Sequence, residues 1–230
     1  MMEHGIQYLP DLFVVSWLGM TPGQIDSHVY VLRGADGLLL VDCGTPWGFP
    51  QICDHLAHWG LAIDNVRTVL LTHSHLDHAA GGYLFKERGV EILAHRAAAP
   101  AAERDWAAAL AAAGPASQAR VDGLLNDGDR LDRCGFAVSV FHTPGHSAGC
   151  LSYLITVSGQ RCLFTGDLIM STAEPGWPGD PGHSREQLLS SLRRLLTLDF
   201  RHLCHGHDVL LDDGGRLFRE ALAKAERGEW

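Results

Sequence analysis

A chain of 230 residues, 46% hydrophobic and 20% charged, is long enough to bury a substantial core and is not composed like a disordered segment. Its 27 acidic and 18 basic residues leave a formal charge of −9, which repels phosphate backbones and disfavours nucleic acid as a partner. Its apolar runs, such as 38–41 and 69–71, fall far short of the roughly 20 residues of a membrane helix, so no membrane association is expected.

The first stretch, MMEHGIQYLPDLFVVSWLGM, has neither a basic leader nor a small-residue cleavage site, and it reads as mature structure. The six cysteines are scattered with no CxxC, so reduced thiols and a cytoplasmic location are expected. Strands are predicted over 12–18, 28–32 and 38–41, divided by Pro22-Gly23 and Ala35-Asp36-Gly37. Apolar residues at helical spacing predict a helix over 47–60, closed by Gly60. A buried strand over 66–71 runs straight into a histidine cluster; a short helix over 82–88 and a strand over 91–94 follow. The alanine-dense stretch 96–120 predicts a helix broken near Pro100 and Gly114-Pro115, a candidate insertion or lid over a site. Strands return at 136–141, 151–157 and 161–164, before a Gly- and Pro-rich loop over 171–184. An amphipathic helix over 185–196, a last strand over 201–204 and a helix over 214–227 complete the chain. With no linker-like shift and no detectable repeat, residues 1–230 read as one α/β domain of sheets covered by helices.

Fourteen histidines are present, three of them within Thr72-His73-Ser74-His75-Leu76-Asp77-His78. At a strand end, period-two geometry turns His73 and His75 the same way, and a following turn lets Asp77 and His78 face a second point nearby. Imidazole and carboxylate together suit zinc, iron or manganese rather than an all-oxygen cation site. Three more strand-end segments offer what a two-metal site needs: Thr143-Pro144-Gly145-His146-Ser147, Phe164-Thr165-Gly166-Asp167 and His205-Gly206-His207-Asp208. A carboxylate such as Asp167 can bridge two ions through its two oxygens.

Together with Val41-Asp42-Cys43-Gly44, these motifs stand in the order of the metallo-β-lactamase superfamily, and the chain resembles its glyoxalase II-like hydrolase branch. That resemblance implies an αββα sandwich of two mixed sheets flanked by helices. It places a first metal on His73, His75 and His146, a second on Asp77, His78 and His207, and Asp167 between them. Asp42 matches the family's buried supporting carboxylate, which orients a ligand or its loop. Two departures touch no ligand position: Cys43 stands where Thr is common, and His205 where Pro usually precedes the Gly-His pair.

The implied reaction is attack of a metal-bridging hydroxide on a carbonyl, with Asp77 as the catalytic carboxylate that orients the water. A small-molecule thioester, ester or lactone is the expected substrate and two divalent ions, zinc foremost with iron or manganese as alternatives, the expected cofactors. Few residues follow His207, which argues against glutathione-specific glyoxalase II, and the Tyr of quorum-signal lactonases is missing beyond Asp167. The competing readings are a mononuclear iron persulfide dioxygenase on His73, His146 and Asp167, a lactamase-type amide hydrolase, and an inactive binding module. Trp17, Met20, Trp106 and Trp177 are the candidate pocket walls.

Overall fold

The computed structural model describes residues 3–110, 120–170, 172–176, 182–207 and 214–229. Strands β1 (Ile6–Leu9), β2 (Leu12–Ser16), β3 (Val29–Gly34), β4 (Gly37–Val41), β5 (Val66–Leu70), β6 (Glu91–His95) and β7 (Gly123–Leu125) form one sheet in that order. Pairing in it is antiparallel from β1 to β4 and parallel from β4 to β7. The second sheet comprises β8 (Arg130–Arg133), β9 (Phe136–His142), β10 (Leu151–Val157), β11 (Gln160–Gly166) and β12 (His202–His205), ordered β12-β11-β10-β9-β8. Only its β11–β12 pair is parallel, so both sheets are mixed.

Alternation along the strands decides which layer each side chain joins. In β2, Leu12 and Val14 enter the core between the sheets, where they meet Tyr30, Leu39, Val140, Tyr153 and Phe164. Their neighbours Phe13 and Val15 point to the outer face, against α1 (Phe49–His58). Phe49, Ile52 and Leu56 form the buried stripe of α1 at helical spacing. On the far side of the second sheet, Leu154, Leu163 and Leu203 pack under α5 (Arg185–Leu195) and α6 (Gly214–Glu226). The order is helices, sheet, sheet, helices, and each fully buried Leu or Val contributes about 1.5–3 kcal/mol to holding it.

Three strands escaped the sequence reading: β1, β7 and β8. All three are sheet edges, short or charged, and the RLDR of β8 carries no buried residue to reveal it. The first long strand also ends at Ser16 rather than at residue 18, leaving Trp17 and Leu18 in the following loop.

The alanine-dense segment corrects two expectations. Helix α4 (Ala99–Leu110) runs through Pro100, which falls in the first turn where no intrahelical N–H is needed. Ala99, Ala102 and Trp106 are buried, and the Trp106 indole donates to the Ala79 carbonyl at 2.8 Å. Trp106 is therefore a core residue and not a pocket wall. Gly114-Pro115 and Trp177 lie outside the described residues.

Candidate metal centre

Every motif picked out for chemistry sits where a strand leaves its sheet. His73 and His75 follow β5, His146 lies in the β9–β10 connection, Asp167 follows β11 and His207 follows β12. The turn expected after His75 is a one-turn helix, α2 (Leu76–Ala79), which carries Asp77 and His78. The Ser27 hydroxyl anchors it by donating to the Asp77 carbonyl at 2.7 Å.

Two groups of ligand-type atoms result. His73, His75, His146 and Asp167 each bring one atom within 4.8 Å of the rest, and so do Asp77, His78, Asp167 and His207. In the first, His75 Nδ1 stands 3.0 Å from both His73 Nε2 and His146 Nε2. In the second, His207 Nε2 lies 3.1 Å from Asp77 Oδ2 and 3.2 Å from Asp167 Oδ2. Asp167 belongs to both groups: its Oδ1 is 3.2 Å from His78 Nε2, and its Oδ2 is 3.8 Å from His146 Nε2. His205 is buried but belongs to neither group.

Buried atoms without partners test whether these residues fit a cation. His78 Nε2 and Asp167 Oδ1 are buried and neither makes a hydrogen bond, although they face each other. An imidazole nitrogen and a carboxylate oxygen turned toward a common point form a set that suits an ion once the imidazole proton is given up. Burial opposes charge on His207, but Asp167 and Asp77 outweigh it and push its pKa up to about 9 in the metal-free protein. Burial likewise disfavours the Asp167 carboxylate, yet the His78 and His207 charges hold its pKa well below the usual range. The site thus keeps a negative core wrapped in imidazoles.

Supporting contacts fix the rings. Asp42, buried beyond the end of β4, accepts from Thr72 N and Thr72 Oγ1 at 2.7 Å each. Its Oδ2 also receives His78 Nδ1–H at 2.8 Å, which turns Nε2, the other ring nitrogen, toward the site. Thr72 Oγ1 lies 3.0 Å from His73 Nδ1, so one carboxylate orients a ring in each group. Thr72 was not singled out from the sequence, although it stands directly before the first histidine of the motif. The α5 side secures the His146 turn: Ser191 Oγ donates to Pro144 O at 2.8 Å and Ser184 N to Gly145 O at 2.8 Å.

The remaining pocket candidates are only partly buried. Trp17 stacks on His55 with ring centroids 5.1 Å apart, and Met20 packs against the outer core. Cys43 is buried and directs its thiol to the His78 carbonyl, so Thr is not required there.

The family model for the metallo-beta-lactamase superfamily matches residues 22–207, a span that contains both ligand groups. The chain belongs to this superfamily. Within it, the chain is 30% identical to a hydroxyacylglutathione hydrolase of Hahella chejuensis over 191 residues, covering 82% of this chain and 65% of that protein. It is 27% identical to an atrochrysone carboxyl ACP thioesterase of Aspergillus fumigatus, covering 94% of this chain and 62% of that one. The chain therefore spans somewhat less than two thirds of the length of these curated relatives. Among solved structures, a motif mutant of the Cronobacter sakazakii metallo-beta-lactamase aligns with a TM-score of 0.77 at 21% identity, covering 98% of this chain and 96% of that one. That likeness carries the superfamily's sandwich fold. Among the described residues no helix is long and apolar enough to cross a membrane.

Proposed function

We propose that this chain is a hydrolase that holds two divalent cations and cleaves a thioester, ester or lactone. The supporting observation is the placement of Asp167, with one oxygen toward His78 and the other toward His207 and His146. Zinc is the expected ion, with iron or manganese as alternatives, on the first site of His73, His75 and His146 and the second of Asp77, His78 and His207. Bound there, such ions bring the pKa of water toward neutrality and polarise a substrate carbonyl.

The chain's own residues do the rest. Asp77 is the more exposed of the two carboxylates, and it accepts a hydrogen bond from water entering at that face and aims it. His78, fully buried, is locked by Asp42 so that its Nε2 keeps a single direction. The Cys150 thiol is a poor competing nucleophile: burial, only partly offset by Ser147, pushes its pKa up to about 11. The relative named as a thioesterase and the relatives named as hydroxyacylglutathione hydrolases support an acyl substrate.

The test is metal analysis joined to an anaerobic substrate panel. Chelator-stripped protein should be inactive, and reloading with zinc or manganese should restore two ions per chain and cleavage of a thioester, ester or lactone. His207→Ala should remove one ion and most of the turnover. One ion per chain in wild type with turnover unchanged by His207→Ala would refute the two-ion reading. Oxygen consumption with glutathione persulfide by the iron form, with no ester-class cleavage, would assign a dioxygenase instead.

A further inference from the structure

Two three-stranded units in the fold share one plan. In the first, β3 and β4 form an antiparallel hairpin and β5 lies parallel to β4; in the second, β10 and β11 form the hairpin and β12 lies parallel to β11. Helix α1 connects β4 to β5, and α5 connects β11 to β12. The middle strand of each unit leads into an aspartate, Asp42 or Asp167, and the third strand leads toward His73 or His207.

A matching pair of hydrogen bonds joins each unit's first strand to the other unit's third. Tyr153 on β10 donates its hydroxyl to the Leu71 carbonyl at 2.6 Å, and Leu151 N–H donates to Thr72 O at 2.7 Å. In the other direction, Tyr30 on β3 donates to the His205 carbonyl at 2.6 Å, and His28 N–H donates to Gly206 O at 2.7 Å. In both cases the hydroxyl lands two residues before the ligand histidine and the amide one residue before. Both tyrosines are buried in the layer between the sheets. Burial pushes both phenols well above their ordinary pKa, so each keeps the proton it donates.

We propose that Tyr153 and Tyr30 are positioning residues, each fixing one of the two ion sites from the opposite sheet. Tyr153 holds the exit of β5 that presents His73, and Tyr30 holds the exit of β12 that presents His207. The inference rests on the two-ion reading above. The physical reason lies in the strand ends. The Leu71 and His205 carbonyls stand where sheet pairing gives out, and a buried carbonyl deprived of its donor rotates to find another. Two residues on, that rotation swings an imidazole off its point of convergence. The effects should be unequal, because the His28 ring also reaches the His205 carbonyl at 3.1 Å and backs up Tyr30.

Chelator competition on fully loaded protein reads the two sites separately. Tyr→Phe at either position keeps the ring in the core and deletes only the hydroxyl. Each variant should hold one ion as wild type does and release the other about tenfold more readily, with Tyr153→Phe the stronger. The Tyr30→Phe effect should vanish in a His207→Ala background, where that ion is already lost, while the Tyr153→Phe effect persists. Melting of the metal-free variants accompanies the titrations, since general loosening weakens both ions alike. Both ions weakened equally in each variant, or both retained as in wild type, would overturn the assignment of the tyrosines alone. Wild-type protein holding fewer than two ions would overturn the two-ion reading and this inference with it.

Discussion

Asp42 and Asp167 occupy equivalent places, each just beyond the middle strand of its unit, yet their oxygens meet opposite kinds of neighbour. Asp42 is engaged by three donors: a backbone N–H, a hydroxyl and an imidazole Nδ1, all within 2.8 Å. Asp167 faces ring nitrogens whose other neighbours are also ligand atoms, and its Oδ1 makes no hydrogen bond. A carboxylate whose two oxygens accept three such donors orients what surrounds it, whereas one whose oxygens look into a ring of imidazoles is available to a cation. The backbone differs as well. Asp42 itself takes a left-handed conformation at φ 62°, which costs a non-glycine residue roughly 1–2 kcal/mol. In the second unit the left-handed residue is Gly166, at φ 52°, and it carries no such cost. A Cβ there would also press on Thr72, the residue Asp42 holds, so the two strand exits meet at this contact.

Substitutions at the two aspartates should separate these roles, and the largest effect belongs to Asp167. Asp167→Ala removes the carboxylate shared by both groups, so turnover should fall about a thousandfold or more and metal content should drop below two. Wild-type turnover and metal content in that variant would erase the distinction between the aspartates. Gly206→Ala leaves every ligand in place but sets a Cβ against Asp167 Oδ1 and His78. Loss of the second ion with a melting temperature near wild type is the expected signature, and an unperturbed site would show that Asp167 tolerates displacement. Asp42→Asn keeps the shape but loses an acceptor and the negative charge facing His78. Metal affinity should weaken by about 10–100-fold while stoichiometry at saturating metal stays at two. A permanent loss of one ion would instead make Asp42 a ligand in effect.

The smallest expected effect is a control in neither unit. His95 and His142 stack with centroids 4.1 Å apart, and burial, then the His142 and Arg96 charges, lower the His95 pKa from 6.5 to about 4. A depressed folded-state pKa means that the unfolded chain binds the proton first. His95 therefore contributes stability above about 6.5, and the contribution is lost as pH falls toward 4. Thermal melts of His95→Asn, whose amide oxygen can accept from Ala97 N–H as Nδ1 does, should decline less over that window than wild type. Equal declines would remove His95 from the account.

Short-range spacing was enough to expose part of this molecule. The four ligand-type residues from His73 to His78 fall within six consecutive positions just after a buried strand, so covalent geometry alone keeps them close. Interior strands and the amphipathic α1 and α5 showed themselves because burial on a defined face imprints a period on the residues. Strand-end position also marked His146, Asp167 and His207 as candidates. It could not bring them together, since their convergence depends on which strands are neighbours and on how the two sheets stack. The same limit hid β1, β7 and β8, which carry little buried pattern because each has a free edge. It left Trp106 looking like a pocket wall on a helical insertion, when a carbonyl of α2 and the outer core claim its indole. The repeated unit, invisible as a sequence repeat, resides in strand pairing and in hydrogen bonds from Tyr30 and Tyr153 that span more than 80 residues of chain. Backbone pairing and buried hydroxyl contacts of that range leave no periodic trace in the residues, and only packing one sheet on the other creates them.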